Sequence, residues 1–226
     1  MNNSVELIGW YGGDRAIARA AWTSTQADIN KKTNEQIRDL LVNKLWNNGT
    51  GKAHKTPFER GIVEFNITCE QPSHIHQIKH RIANVNGESA RYKELKDKYY
   101  IPDDWGNIVA TNLTGEYLEK HNGKTWRDIL KIHTEISDQL YHASLLDLEK
   151  PLGRKRAKES ARFFKTMNSQ ITLSVMMNMS CFYNFFSLRA DSAAQLEIQE
   201  IAKAMLNCIK QIDGDPFKFT LEAFGL

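Results

Sequence analysis

The chain has 226 residues, 41% of them hydrophobic and 25% charged, with a formal net charge of +3. That length suggests one domain spanning residues 1–226, or one with an appended lobe, of ordinary globular composition. The mild charge demands no nucleic acid, and no run of about eighteen apolar residues offers a membrane span.

The opening Met1-Asn2-Asn3-Ser4-Val5-Glu6 has no basic region followed by an apolar block, so no secretory signal is expected. Cys69, Cys181 and Cys208 are scattered and show no metal spacing. They read as reduced thiols of a cytoplasmic protein, and each is a small core residue rather than a nucleophile. No metal site is expected.

In chain order, residues 5–10 read as a short strand ending at Gly12-Gly13, and residues 14–22 as a helix. Thr33 and Gln36 stand at capping-box spacing. Ile37, Leu40, Leu41 and Leu45 then form one apolar face, which Asn47-Asn48-Gly49 ends. Residues 54–59, His-Lys-Thr-Pro-Phe-Glu, read as a loop. Within residues 61–69, Val63, Phe65, Ile67 and Cys69 alternate with Glu64, Asn66 and Thr68, the pattern of a half-buried strand. Residues 72–81 are predicted helical, with a polar loop beyond.

Residues 125–148 make a long amphipathic helix, with Thr125 and Asp128 at its start and Ile129, Ile132, Ile136 and Leu140 inward. A further helix spans about 155–164. Residues 170–186, rich in Met and Phe, read as a buried helix. Residues 191–212 carry the cleanest helical stripe, Ile198, Ala202, Met205 and Ile209, and Asp213-Gly214-Asp215-Pro216 ends it. Residues 221–224 add a short helical tail. The sum is an α+β fold: a small, mostly antiparallel sheet surrounded by helices.

Three polar constellations stand out. The run Lys79-His80-Arg81-Ile82-Ala83-Asn84-Val85-Asn86-Gly87-Glu88-Ser89-Ala90-Arg91-Tyr92 gathers cations around one carboxylate and little apolar content. A solvated helix end accounts for Lys79 and Arg81. The polar residues that follow favour an anion site, with phosphate the simplest anion. Arg189 lies between the apolar Phe185-Phe186 and the next helix. An Arg at a buried junction needs a partner, either Asp191 in a structural ion pair or a ligand anion or carbonyl. Asp191 or Ser192 can cap the next helix. Arg162 reads as an exposed helical residue. Asn178 and Asn184, inside an apolar stretch, serve either the core or a bound polar cofactor. There is no Gly-rich phosphate loop with a following Lys, no G-x-G-x-x-G after a strand, no H-E-x-x-H and no G-x-S-x-G.

Taken together, these segments resemble the flavin-dependent thymidylate synthases, the ThyX family. His80-Arg81 with Ser89 resembles that family's R-H-R-x(7)-S signature. Ala20-Ala21-Trp22-Thr23-Ser24 resembles its early helix, and His54-Lys55-Thr56-Pro57-Phe58-Glu59 its H-x-T-P-F-E-H loop, with Arg60 in place of the last His. Glu159-Ser160-Ala161-Arg162 resembles its E-x-A-R segment. The block from Asn184 through Arg189 to Ile198 resembles N-F-x-x-L-R-x-x-x-x-A-Q-x-E-I, and Phe219 to Phe224 the family's C-terminal end.

The resemblance implies a homotetramer with active sites shared between subunits. It implies FAD reduced by NADPH, methylenetetrahydrofolate as carbon donor and dUMP as acceptor. By position, Thr56, Lys79, His80, Arg81, Asn178 and Asn184 would contact FAD, joined by Ser24 and His54. Glu88, Ser89, Ala90, Arg91 and Arg162 would hold the nucleotide, chiefly its phosphate. Arg189 would face the uracil ring and favour its ionised form. The chain departs from the pattern at Lys79, where the signature has Arg, and at His76, where the family has Gln or Glu against the pyrimidine. Gly87 stands where Glu or Gln is common, and Ala193 replaces a frequent His. His76 and Gly87 fall in the nucleotide site, so the resemblance leaves open a ThyX-like enzyme with altered chemistry: hydroxymethylation of a pyrimidine nucleotide, or use of a cytosine nucleotide.

Overall fold

The computed structural model describes residues 3–226. Met1 and Asn2, which open the segment read above as lacking a secretory pattern, lie outside the described residues. The chain divides into two compact units that interleave in sequence. One takes Asn3, Cys69–His74 and Gly87–Ile171; the other takes Ser4–Thr68, Ile75–Asn86 and Thr172–Leu226.

The second unit is built on the sheet. β1 (Ser4–Tyr11) pairs antiparallel with β2 (Ile62–Glu70), Ser4 opposite Thr68 and Tyr11 opposite Ile62, with a register shift between Leu7 and Gly9. With β3 (Asn84–Gly87) and β4 (Gln170–Asn178) they form a four-stranded antiparallel sheet in the order β1-β2-β4-β3. Val63, Phe65 and Ile67 of β2 are fully buried, as their alternation requires. α1 (Gly13–Trp22) follows the Gly12-Gly13 turn. α2 (Asn34–Asp39) opens on the expected capping box of Thr33 and Gln36. The helix then widens into a π turn over Leu40–Trp46, a rarer winding than the α-helix the spacing predicts.

Two elements differ from expectation in this unit. Residues 170–186 are not one buried helix but β4 followed by α6 (Met179–Arg189). Ile171, Leu173, Val175 and Met177 are buried at every second position, while Thr172 and Ser174 between them are not. That period of two outweighs the run's overall apolarity. Asn178 marks the break: its Oδ1 accepts from Cys181 N at 2.8 Å and caps α6. Likewise, the polar run after α3 (Gln71–Ile78) is not all loop, because residues 84–87 form the edge strand β3. An edge strand needs few apolar residues, so its composition reads as loop.

α7 (Leu196–Lys210) buries Ile198, Ala202, Met205 and Ile209 as expected, and α8 (Lys218–Phe224) closes the chain. α7 starts later than the predicted 191. Asp191 caps a turn instead, accepting from Ala193 N at 2.8 Å.

The first unit centres on α4 (Trp126–Leu152) and α5 (Arg154–Ala161). Thr125 caps α4, as expected, by accepting from Asp128 N. Its buried face is Thr134, Ser137, Tyr141 and Leu145, not the predicted isoleucine stripe. Ile136 is 50% exposed and Leu140 47%. The inward polar groups all have partners. Thr134 Oγ1 accepts from Asn168, Ser137 donates to the Phe164 carbonyl, and the Tyr141 hydroxyl accepts from Leu95 N at 2.9 Å. Satisfied polar groups bury cheaply, so apolarity alone picks the wrong face.

Candidate functional site

The end of the Lys79–Arg81 run and the first turns of α6 come together in the second unit. Lys79, His80, Arg81, Ile82 and Ala83 form one wall of a cavity of about 260 Å³, and Met177, Cys181, Asn184 and Phe185 the other. Cys181, Asn184 and Phe185 share one face of α6 by their spacing of three and four. The lining is apolar, with His80 and Asn184 as polar points and two cations at the rim. Such a pocket can take a flat aromatic ring with a hydrogen-bonding edge.

His80 organises the polar side. Its ring packs edge-on against Phe185, with centroids 4.9 Å apart. Arg189, at the last turn of α6, donates from Nε to His80 Nε2 at 3.0 Å. Burial first, then the charges of Arg189 and His76, hold the His80 pKa below the usual imidazole value. His80 is therefore neutral at pH 7. With Nε2 accepting, its proton sits on Nδ1, which leaves one N–H donor for a ligand. The partner of Arg189 is thus His80, not Asp191.

Asn184 Oδ1 accepts from Lys55 Nζ at 3.2 Å. That ammonium also lies over the rings of Trp46 and Tyr183, at 5.7 and 5.2 Å. Lys55 was not singled out from the sequence, because its neighbours His54 and Thr56 carried the motif. The apolar wall of Met177, Cys181 and Phe185 was also missed; helical spacing around Asn184 was the available signal.

The other residues predicted for cofactor contact lie elsewhere in this unit. Ser24 is exposed and donates to the Ala21 carbonyl. His54 and Thr56 are exposed at the start of the Thr56–Arg60 turn. Asn178 spends its carbonyl on the α6 cap. Of the residues predicted for the pyrimidine, His76 is half-buried in the last turn of α3, and Gly87, which belongs to the first unit, is exposed at the end of β3.

In the first unit, the segments predicted for the nucleotide also meet. Arg91 Nε donates to Glu159 of α5 at 2.8 Å, and that bond holds the Glu159 carboxyl below its usual range. Lys158, also on α5, donates to the Tyr92 carbonyl at 3.1 Å. The turn of Ser89, Ala90 and Arg91 therefore sits against the helix that leads into Arg162. Ser89 Oγ accepts from Arg91 N, and Ala90 is buried beneath the turn. Glu88 pairs with Lys93 at 2.5 Å. Arg162 is exposed and has no ion pair among the described residues. Two guanidiniums and a hydroxyl on neighbouring segments suit an anion.

The cysteines are not poised for attack. Burial pushes the Cys69 thiol up to about 12 and raises those of Cys181 and Cys208. No helix among the described residues is long and apolar enough to cross a membrane.

Comparison with known proteins adds four matches. The family described as thymidylate synthase complementing protein matches residues 6–213. A flavin-dependent thymidylate synthase of Thermosipho africanus is 32% identical over 222 residues, 97% of this chain and 90% of that one. One from Pseudothermotoga lettingae is 29% identical over 208 residues, 92% and 85% of the two chains. Among solved structures, the UMP/dUMP methylase PolB of Streptomyces cacaoi, bound with 5-Br dUMP, superposes with a TM-score of 0.74 at 25% identity. The match covers 99% of this chain and 95% of that one.

Proposed function

The chain belongs to the thymidylate synthase complementing protein family, and on that premise we propose that it reductively methylates dUMP to dTMP. The observation that carries this reading is His80, bonded to Arg189, on the wall of an apolar cavity of about 260 Å³. The cavity fits a flavin chemically. Met177, Cys181 and Phe185 offer an apolar face to the ring, and His80 Nδ1–H and Asn184 offer polar contacts at its edge. Lys79 and Arg81 offer charge to its phosphates, and Ser24, His54, Thr56 and Asn178, outside the cavity lining, are assigned to the rest of the cofactor by their place in the family motifs.

In the net reaction a methylene unit from methylenetetrahydrofolate joins carbon-5 of the uracil, the proton of that carbon leaves, and the carrier is released as tetrahydrofolate. Two electrons from NADPH complete the methyl group. Bound FAD supplies the hydride chemistry that no side chain can.

The chain's own residues do the rest. Glu88, Ser89, Ala90, Arg91 and Arg162 bind the nucleotide, with the two guanidiniums on its phosphate. His76 and Gly87 border the pyrimidine. Arg189 lies against the uracil carbonyl and imide nitrogen, and its charge stabilises the negative charge that carbon-5 needs to act as nucleophile. Neutral His80 orients that guanidinium without competing for the charge. The protonated thiols support a route without a cysteine adduct. The whole chain works as one catalytic domain of a cytoplasmic homotetramer, whose subunits share active sites. The exposed Ile136 and Leu140 on α4 support further burial against a second copy.

The test is to purify the protein, record its flavin spectrum, and follow NADPH oxidation and dTMP formation with dUMP. A protein that cannot be loaded with FAD, or that forms no dTMP, would sink the proposal. His76 and Gly87 favour one second reading, altered chemistry on a pyrimidine nucleotide. Mass spectrometry of products from dUMP, UMP and dCMP decides: a hydroxymethylated product or a preference for dCMP would establish it.

A further inference from the structure

We infer that Lys165 is a positioning residue that sets the direction of Arg162 toward the nucleotide phosphate. The inference rests on the reading of Arg162 given above. The Lys165 side chain is only 4% exposed, yet it carries a charge. Its ammonium donates to Asp97 Oδ1 at 2.7 Å, Asp138 Oδ1 at 2.6 Å and the Tyr99 hydroxyl at 2.7 Å. It also lies over the rings of Tyr141 and Tyr99, at 4.6 and 5.2 Å. An ammonium has three donors, and all three are used.

Burying a charge in this way is costly, and an apolar side chain of similar length often serves stability as well. What the charged cluster adds is direction: three acceptors, two from the segment Asp97–Tyr99 and one from α4, allow the ammonium one position. That position is transmitted to Arg162. Lys165 N donates to the Arg162 carbonyl at 3.1 Å and closes the tight turn Arg162–Phe164. Ser137 of α4 holds the Phe164 carbonyl in the same turn. Arg162 thus projects from a turn anchored on α4 rather than from a free helix end. Preorganised donors bind better because less ordering is left to the moment of binding.

The test measures binding of dUMP and of deoxyuridine, which lacks the phosphate, to the flavin-loaded full-length protein. Lys165→Met, Arg162→Ala and the double variant are compared with the parent. Lys165→Met is expected to weaken dUMP binding by about tenfold and deoxyuridine binding by less than about twofold. The double variant should bind dUMP no more weakly than Arg162→Ala alone. Equal loss for both ligands would mean a merely structural role and overturn the inference. So would parent-like dUMP binding by Lys165→Met beside a clear loss in Arg162→Ala. Unchanged dUMP binding in Arg162→Ala would instead overturn the phosphate reading, and this inference with it. Should Lys165→Met fail to fold, Asp138→Ala, which removes one of the three acceptors and leaves Asp97 to balance the charge, must show the same phosphate-selective loss.

Discussion

Replacing Arg189 by Ala removes one guanidinium from beside His80 and leaves the rest of α6 in place. Its bond to His80 Nε2 is 3.0 Å long with a charged donor, a class worth about 1.5–3 kcal/mol. Both residues are half-buried, so solvent screening puts the structural loss at the lower end. That corresponds to a fall of about 3–6 °C in Tm for a chain of this size. The catalytic loss should be larger. A preorganised donor aimed at developing charge is worth about 10²–10³ in kcat, or about 2.7–4 kcal/mol. Arg189→Ala is therefore expected to retain its flavin spectrum while dTMP formation falls by about 100-fold or more. His80 gives a second reading. Arg189 is one of the charges that hold its pKa down, after burial, so the variant's imidazole should titrate at higher pH. Flavin absorbance, product formation at saturating dUMP and an NMR titration of the His80 ring check all three. Turnover within about threefold of the parent, or a His80 titration that does not move upward, would refute the assigned role.

Gly12 has φ +97°, and a Cβ there would meet the Arg60 carbonyl oxygen at 2.2 Å. Backbone cannot yield cheaply, so Gly12→Ala should destabilise by about 3 kcal/mol, read as a Tm fall of about 6–12 °C by calorimetry. Asp14 accepts from Phe219 N, Thr220 N and Thr220 Oγ1, and burial raises its pKa from 3.8 to about 6. A raised folded pKa means its contribution is complete below pH 3.8 and lost as pH rises through 6. On that basis about 3 kcal/mol of relative stability should disappear between those pH values. Urea unfolding of the parent against Asp14→Asn, which cannot titrate, should show that drop in the parent alone. Finally, the raised thiol pKa values predict slow alkylation of Cys69, Cys181 and Cys208 by iodoacetamide at pH 7. Mass spectrometry beside a dTMP assay checks this: rapid labelling with loss of activity would restore a cysteine route.

Much of the fold is legible locally. The capping box at Thr33, the cap at Thr125, the alternation in β2 and the stripe of α7 all depend on residues close in sequence, and all appear where the spacing places them. The misreadings share a cause: β4, β3 and the inward face of α4 were judged by apolarity. Ile171 to Met177 follow a period of two inside a run that looks uniformly apolar. Thr134, Ser137 and Tyr141 go inward because Asn168, the Phe164 carbonyl and Leu95 N satisfy them, and no local pattern announces partners 27 to 46 residues away.

The candidate site divides in the same way. His80-Arg81 with Ser89, and the block around Arg189, named the residue types and the family by themselves, because a motif is a property of order along the chain. What Arg189 touches was decided only by the tertiary structure. The sequence offered Asp191, two residues on, whereas the fold brought His80 from 109 residues away. The same holds for Lys55 on Asn184 and for Lys165 in its cage. A charged side chain taken out of water must find partners wherever the packed chain provides them, and that search is three-dimensional.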